Sequence, residues 1–197
     1  MAQNDEKELQ NTKKDKPKKS MKQEIFEWVM VFVVAAALAF VVRTFIFEPV
    51  RVDGSSMLNT LTDGDFMIAT KYDYLAGDPE RFDVVICDYP NTSDGKYRVK
   101  RVIGLPGDTV ELVAGELYIN GEHLEQQFDM TDNQAYFGPY VVPEDHYFVM
   151  GDNRDNSHDS RASDVGALTR DQIRGHVQYV VFPFSNFRKV SGDYLSD

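Results

Sequence analysis

The chain has 197 residues, a formal net charge of −11 and a single cysteine. This length allows one compact domain with a core and a terminal appendage, and it argues against two full-sized domains. The excess of acidic residues argues against nucleic acid as a partner, because binding to phosphates needs a basic surface. The lone Cys87 excludes an intramolecular disulfide and a thiolate zinc site, and its position in an apolar run indicates a buried structural thiol.

The charge is distributed unevenly along the chain. Residues 1–24 carry seven lysines and five acidic residues, whereas the chain from Arg43 onward carries 14 basic and 26 acidic residues. Residues 1–24 also lack apolar groups to bury, and they are therefore predicted to form a disordered cytoplasmic tail. The sign of the charge changes across the apolar segment that separates these two regions.

Residues 25–47 form that apolar segment, and its two charged residues, Glu27 and Arg43, stand near its ends. A stretch of this length can cross a bilayer. A cleaved secretory signal would have a shorter apolar core of about 7 to 15 residues and a small-residue cleavage site, so the pattern favours an uncleaved transmembrane anchor. The lysines before it predict a cytoplasmic N-terminus. Residues 48–197 are then expected outside the cytoplasm, on a single-pass protein of the cell membrane that contacts lipid.

Short β-prone runs separated by Gly, Pro, Asn and Asp follow the anchor and predict an all-β domain. The predicted strands are Val50–Val52, Phe66–Lys71, Val84–Cys87, Arg98–Ile103, Thr109–Val113, Tyr147–Met150 and Val177–Phe182. Within residues 116–124, the pair Asn120-Gly121 is typical of a type I′ hairpin turn.

Two other stretches carry weaker local signals. The spacing of Thr169 and Gln172 predicts a capping box at the start of one short helix, which Gly175 would end. Residues 129–140 are polar and aromatic without a clear period, and they are predicted to form a surface loop or extension.

Several serines could act as a nucleophile, but the sequence contains no G-x-S-x-G elbow and no spacing that identifies a Ser-His-Asp triad. The four histidines are not grouped in the sequence; they are His123, His146, His158 and His176. A lysine can replace histidine as the general base if burial lowers its pKa, because the neutral amine then accepts the serine proton. A Ser-Lys pair is therefore the form of nucleophilic catalysis to look for.

Three polar stretches, residues 53–61, 97–108 and 151–161, follow the anchor. The third is rich in acidic side chains and has the look of a calcium-binding loop. An EF-hand, however, needs Gly at its sixth position and Glu at its twelfth. Counted from Asp155, these positions hold Ser160 and Gly166. No metal is therefore expected, and the clustered Asp and Arg residues suit a salt-bridged scaffold.

In this order, the three stretches resemble the conserved blocks of type I signal peptidases. The first resembles S-M-x-P-T-L and implies that Ser56 is the nucleophile. The second resembles K-R-x-x-G-x-P-G-D and implies that Lys100 is the general base. The third is similar to G-D-N-R-D-N-S-x-D-S-R, whose serine, Ser157, would hydrogen-bond the lysine while Asp159 and Arg161 pair to support the site.

The resemblance implies roles for a second set of residues. Asp152 and Arg101 belong to the supporting scaffold, and the oxyanion and substrate strand is formed by Gly54, Ser55 and Met57. Two positions depart from the family pattern. Asn59 replaces the proline of the first block, although Asn is itself a competent turn residue. Gly54 stands where some members have a serine that helps to bind the oxyanion, so the Ser56 N–H must carry more of that task or another donor must join it. This form resembles the Gram-positive members.

The fold implied is mainly β, a signal-peptidase-like domain of antiparallel sheets behind one N-terminal transmembrane helix. The implied function is a membrane-bound serine endopeptidase that removes signal peptides from exported preproteins, with no cofactor and with Ala or a similar residue preferred at substrate positions −1 and −3. Two alternatives remain: an inactive membrane-anchored domain that binds peptides, and a peptidase dedicated to one client such as a pilin. A self-cleaving Ser-Lys protease is disfavoured, because those carry a DNA-binding domain where this chain has an anchor.

Overall fold

The structure, a computed structural model, describes residues 20–58, 60–90, 92, 95–125 and 135–190. The chain divides into two compact units, with the boundary between Val41 and Val42. Helix α1 (Met21–Phe45) is the one helix in these residues that is long and apolar enough to cross a membrane. It ends shortly before the predicted anchor does, because a strand already starts at Phe47. It also begins earlier, so Met21–Glu24 are helical and not part of a disordered tail as predicted, whereas the tail up to residue 19 lies outside the described residues.

The unit that begins at Val42 is built mainly of β-strands, as the sequence predicts. The strands are β1 (Phe47–Arg51), β2 (Phe66–Thr70), β3 (Val84–Cys87), β4 (Arg98–Gly104), β5 (Thr109–Val113), β6 (Glu116–Ile119), β7 (Glu122–Leu124), β8 (Phe137–Val141), β9 (His146–Met150), β10 (Leu168–Thr169), β11 (Ile173–Phe182) and β12 (Arg188–Lys189). One short helix, α2 (Asp73–Ala76), lies between β2 and β3.

The strands form two antiparallel sheets. The larger has the order β1-β2-β11-β3-β4-β9-β10, and β12 also pairs with β11; the smaller has the order β7-β6-β5-β8. Every strand pair is antiparallel, as expected. The late strand β11 therefore lies between β2 and β3, which are neighbours in the sequence but not in the sheet.

All seven predicted strands are confirmed, with ends that differ by a few residues. Strands β3 and β5 match their predicted bounds. The predicted hairpin is formed by β6 and β7, and its turn residues Asn120 and Gly121 have φ values of 54° and 80°. These positive φ angles are what a type I′ turn requires, and they explain the Asn-Gly pair.

Two local predictions were wrong in part. The predicted loop at residues 129–140 ends in strand β8, which pairs with β5, whereas residues 126–134 lie outside the described part of the chain. The capping box at Thr169 is present, but it opens only one 3₁₀ turn, and Gly175 lies inside β11. A Cβ atom at Gly175 would lie 2.9 Å from the Thr70 carbonyl oxygen, so the glycine allows close approach of β2 and does not end a helix.

Apolar side chains from both sheets meet in one core cluster. Its buried members are Ile103, Val110, Leu112, Leu117, Ile119, Val142, Phe148 and Met150. Gly104, at the end of β4, belongs to the same contact. A Cβ atom there would lie 2.7 Å from Val110 Cγ2 and 3.0 Å from Phe148 Cβ. The glycine therefore lets β4 of the larger sheet pack closely against the smaller sheet.

Gly104→Ala should destabilise the domain by about 1–3 kcal/mol, because the added methyl overpacks this contact. Urea unfolding in detergent, followed by the near-ultraviolet circular dichroism of the tyrosines, measures the change, since the only tryptophan, Trp28, lies in α1. Val141→Ala, at a strand position that is 64% exposed, is the control and should change stability by no more than about 0.5 kcal/mol. Equal stability of the two variants would contradict this explanation.

Candidate active site

Ser56 lies on a tight turn that follows β1. The turn opens at Gly54, whose φ of +104° favours glycine and whose N–H donates to Asp63 Oδ1 at 2.9 Å. It closes with the Leu61 N–H donating to the Met57 carbonyl oxygen at 2.7 Å. Met57 and Leu61 are 2% and 1% exposed and belong to the core. The buried side chains therefore fix the backbone on which the Ser56 hydroxyl is carried.

Lys100 approaches the same hydroxyl from strand β4. It stands opposite Val85 of β3 in the sheet, and its side chain is buried. Its Nζ atom lies 2.6 Å from Ser56 Oγ, although the two residues are 44 positions apart in the sequence. The sheet thus brings the predicted nucleophile and the predicted base into hydrogen-bond contact.

The environment of Lys100 favours the neutral amine. Burial is the largest effect and lowers the pKa of Lys100, and the positive charge of Arg98 lowers it further. Cys87 and the carboxylates of Asp159 and Asp152 act in the opposite direction but do not outweigh burial. A larger fraction of Lys100 can therefore accept a proton near neutral pH than for a lysine in water.

Cys87 lies two residues from Val85 on β3, fully buried. Burial raises the pKa of its thiol to about 12, so the thiolate needed for nucleophilic attack is scarce at neutral pH. This agrees with the predicted structural role of the cysteine.

The third polar stretch holds the nucleophile turn from the opposite side. The Asn153 N–H donates to the Ser56 carbonyl oxygen at 3.0 Å, and Asn153 Nδ2 donates to the Ser55 carbonyl oxygen at the same distance. Asn156 Nδ2 donates to Ser55 Oγ at 2.8 Å. The two asparagines were not among the predicted site residues. The signal that could have identified them is their place in the G-D-N-R-D-N block, beside the predicted scaffold residues.

Arg101 and Asp152 form a buried ion pair below the site. Arg101 Nε donates to Asp152 Oδ1 at 2.9 Å, and Arg101 Nη2 donates to Oδ2 at 2.7 Å, which is a bidentate geometry. The side chains are only 2% and 0% exposed. Arg101 lies on the strand that carries Lys100, and Asp152 lies in the loop that begins at Gly151. The ion pair therefore joins this strand to this loop.

Asp159 and Arg161 form the second predicted pair. Arg161 donates through Nε and Nη2 to the two carboxylate oxygens, each at 2.8 Å, and the Gly151 N–H donates to Asp159 Oδ2 at 3.0 Å. Burial would raise the pKa of Asp159, but the hydrogen bonds and charge of Arg161 outweigh it, so the pKa is lowered. Asp159 therefore stays ionised and holds the loop around Gly151 in place.

Ser157 is close to the nucleophile turn but does not make the expected bond to Lys100 in the described structure. Its Oγ atom is buried and has no hydrogen bond of good geometry, but it lies near enough to the Asp159 carboxylate to help to lower the pKa of that group. A Cβ atom at Gly151 would collide with Ser157 Oγ and with the Ser56 carbonyl oxygen. Gly151 therefore allows the serine side chain and the nucleophile turn to pack against the same backbone.

A groove leads away from the Ser56–Lys100 pair. Its walls are residues 49–54 on one side and residues 96–100 on the other. A cavity of about 180 Å³ includes Ser56 and Lys100, and a neighbouring cavity of about 490 Å³ extends along the same walls. Strand β1 is the end strand of its sheet, and Arg98–Lys100 pair only with β3 among the described residues. Both walls thus present backbone that could pair with an extended peptide.

The histidines do not form a group. Each has a polar neighbour of its own; these are Glu116 for His123, the Glu144 carbonyl for His146, Asp164 for His158, and Asp73 and Asp83 for His176. Among the residues that the structure describes, no cluster of three or more His, Cys, Asp and Glu side chains is suited to a metal ion.

Comparison with known proteins gives one consistent family. The sequence model described as signal peptidase, peptidase S26, matches residues 25–182. Signal peptidase I P from Bacillus subtilis subsp. natto is 41% identical over 178 residues, which is 85% of this chain and 94% of the relative. Signal peptidase IB from Staphylococcus aureus (strain COL) is 36% identical over 186 residues, which is 85% of this chain and 95% of that protein.

The crystal structure of a signal peptidase I from Enterococcus faecalis V583 is 33% identical and aligns with a TM-score of 0.39, over 51% of this chain and 97% of that chain. The family model spans most of the chain, and the relatives match over nearly their whole length. This chain belongs to the signal peptidase family, peptidase S26.

Proposed function

We propose that this protein removes signal peptides from exported preproteins by a Ser-Lys dyad, in which Ser56 is the nucleophile and Lys100 the general base. Membership of the family makes it a peptidase whose substrates are signal peptides. The observation that supports the dyad is the buried Lys100 amine 2.6 Å from Ser56 Oγ, because a base must lie within hydrogen-bond reach of the proton that it removes.

In the proposed reaction, Ser56 Oγ attacks the scissile carbonyl carbon while the neutral Lys100 amine takes the hydroxyl proton. The tetrahedral intermediate then collapses, the C–N bond breaks, and the Lys100 ammonium gives its proton to the leaving amine. A water attacks the resulting ester, again losing a proton to Lys100, and the acid product leaves as Ser56 regains its hydrogen. The lysine ends each half-reaction neutral, so no cofactor or metal is needed.

The oxyanion of this intermediate needs a donor near Ser56. We assign the Ser56 backbone N–H to this role, because Gly54 has no side chain to contribute. The hydrogen bonds from Asn153 and Asn156 to Ser55 fix the peptide unit that carries this N–H. The asparagines would then act as positioning residues for the oxyanion donor.

The substrate would bind as an extended strand in the groove. Its backbone could pair with the open edge of residues 49–54 and with the edge of residues 96–100, while small side chains fill shallow pockets beside Ser56. The confined cavity of about 180 Å³ at the dyad suits small side chains such as Ala. Peptides with Ala at positions −1 and −3 are therefore the substrates to test first.

Ser157 would orient the Lys100 amine toward Ser56. Two observations support this role: its Oγ atom is buried without a hydrogen bond of good geometry, and it packs against Gly151 beside the Ser56 carbonyl. A buried hydroxyl gains from a hydrogen bond, and the neutral or charged amine can supply one. Removal of the Ser157 hydroxyl should therefore lower turnover while the fold is kept.

Helix α1 would serve as a single-pass anchor for the 48–197 domain, with residues 1–24 in the cytoplasm. The apolar length of α1 and the six lysines between Lys13 and Lys22 support this topology. Anchoring would confine the enzyme and its membrane-bound substrates to one surface, which raises their effective concentration.

Added protease tests this topology in right-side-out membrane vesicles. The protease should digest the 48–197 domain and leave residues 1–24 protected; the reverse pattern would contradict the topology.

The alternative of an inactive peptide-binding domain has less support. The feature in its favour is Asn59, which departs from the family pattern and lies outside the described residues. Ser56 and Lys100, in contrast, are both present and in contact. A buried lysine reduces stability, so its retention beside a serine favours a catalytic role. A peptidase dedicated to one client differs from a general one in substrate range, which the cleavage of several preproteins measures.

Ser56→Ala and Lys100→Met should each reduce cleavage of an exported preprotein in detergent micelles by at least about 10⁴-fold, because each removes one half of the dyad. Ser157→Ala should lower kcat by about tenfold or more.

The fold of the Lys100→Met variant is the control for this loss of activity. Its melting temperature should be at or above that of the wild type, since the substitution replaces a buried amine with an apolar chain. Retained cleavage by a folded Ser56→Ala variant would falsify the assignment.

The pH dependence of kcat should show an acid limb set by Lys100. The lysine must be neutral to act, so kcat rises as pH increases through its lowered pKa, which lies below the usual value of about 10.4. Arg98→Met should move this limb to higher pH, because the positive charge of Arg98 helps to lower that pKa. Arg174→Met is the matched control and should leave the limb in place. An acid limb that does not respond to Arg98→Met would argue against Lys100 as its source.

A further inference from the structure

Two oppositely charged side chains meet across the groove that leads to Ser56. Asp53 belongs to the wall that follows β1, and Lys96 belongs to the wall that precedes β4. Lys96 Nζ lies 3.3 Å from Asp53 Oδ2. Both residues line the cavity at the dyad and also the larger cavity beside it. The ion pair therefore lies where the two cavities share their walls.

The pair contributes little to the stability of the fold. Its side chains are 64% and 80% exposed, and ion pairs between such side chains are weak in water. Each wall is held by other contacts. The Gly54 N–H is bound to Asp63 on one side, and Arg98–Lys100 are paired with β3 on the other. Loss of the pair would leave both walls in place.

A substrate strand and the Asp53–Lys96 pair would compete for the same space in the groove. A peptide that pairs with both walls needs a spacing of about 4.8 Å from each of them. In the structure, the Asp53 and Lys96 side chains extend from the two walls and meet each other at 3.3 Å. An extended peptide that pairs with both walls would occupy the space where the two side chains meet, so it would have to displace the ion pair.

We propose that the Asp53–Lys96 ion pair is a strap that closes the substrate groove and must open for each signal peptide to bind. This inference rests on the proposed function, since it concerns the same groove. The strap opens before chemistry and stays open through it, so its cost falls equally on bound substrate and transition state. Such a cost raises KM and leaves kcat unchanged.

The kinetic test uses an uncharged peptide with alanine at positions −1 and −3, cleaved by the full chain in detergent micelles. Asp53→Asn and Lys96→Met should each lower KM by about two- to fivefold with kcat unchanged, as expected for loss of a weak exposed pair. The double variant should resemble the single ones. Exchange of the charges, Asp53→Lys with Lys96→Asp, should restore the wild-type KM, because it rebuilds the strap.

Salt provides an independent readout. Raising the NaCl concentration from about 50 mM to about 500 mM screens exposed charges, so it should lower the wild-type KM and barely affect Lys96→Met. Asp78→Asn is the matched control. It breaks the Arg170–Asp78 pair, which has the same 3.3 Å separation and an equally exposed carboxylate but lies outside the groove. This control should keep the wild-type KM and salt dependence.

Failure of the strap and failure of the proposed function would look different. If the wild type cleaves the peptide but Asp53→Asn and Lys96→Met have an unchanged or higher KM, the strap is overturned and the peptidase assignment stands. If the wild type does not cleave at all, the proposed function fails. The strap is then tested by the fluorescence anisotropy of a labelled peptide bound to Ser56→Ala, where Lys96→Met should lower Kd and an unchanged Kd would reject it.

Discussion

The burial of the Lys100 amine is the constraint on which the rest of the site depends. A lysine in water is almost fully protonated at neutral pH and cannot remove a proton from serine. Removal of the charge requires the removal of water, and β4 achieves this by placing Lys100 inside the larger sheet against β3. Because Lys100 is buried, contact with its amine requires that the turn carrying Ser56 packs against the sheet at this point.

Lys100 and Arg101 are adjacent buried residues on β4, but their surroundings differ. Arg101 is neutralised by a bidentate contact with Asp152, whereas Lys100 has the hydroxyl of Ser56 as its near neighbour. Nearby carboxylates favour the charged lysine, although burial outweighs them. The pairing of each carboxylate with its own arginine limits that influence. The two arginine–aspartate pairs thus link the segments around Lys100, whose near neighbour is Ser56 Oγ.

The sequence predicts the parts of this arrangement that have a local signal. Strands with β-branched runs, the Asn120-Gly121 turn and the three polar blocks were all recognisable. The strand β8 was missed because Gly138 and Pro139 interrupt it, and such residues indicate a loop. Contacts between distant segments leave no local pattern. The hydrogen bonds from Asn153 and Asn156 to Ser55 and the close packing at Gly104 depend on how the strands pair and how the sheets pack. They therefore cannot be predicted from the local sequence.

The position of β11 has a consequence for the order in which the enzyme becomes competent. Ser56 follows the first strand of the larger sheet, and Lys100 stands on the fifth along the order β1-β2-β11-β3-β4. The sheet is continuous between them only after Ile173–Phe182, near the C-terminal end, has inserted between β2 and β3. The chain up to β10 therefore cannot complete the larger sheet, and the contact between Ser56 and Lys100 forms within a sheet that needs β11 for its continuity.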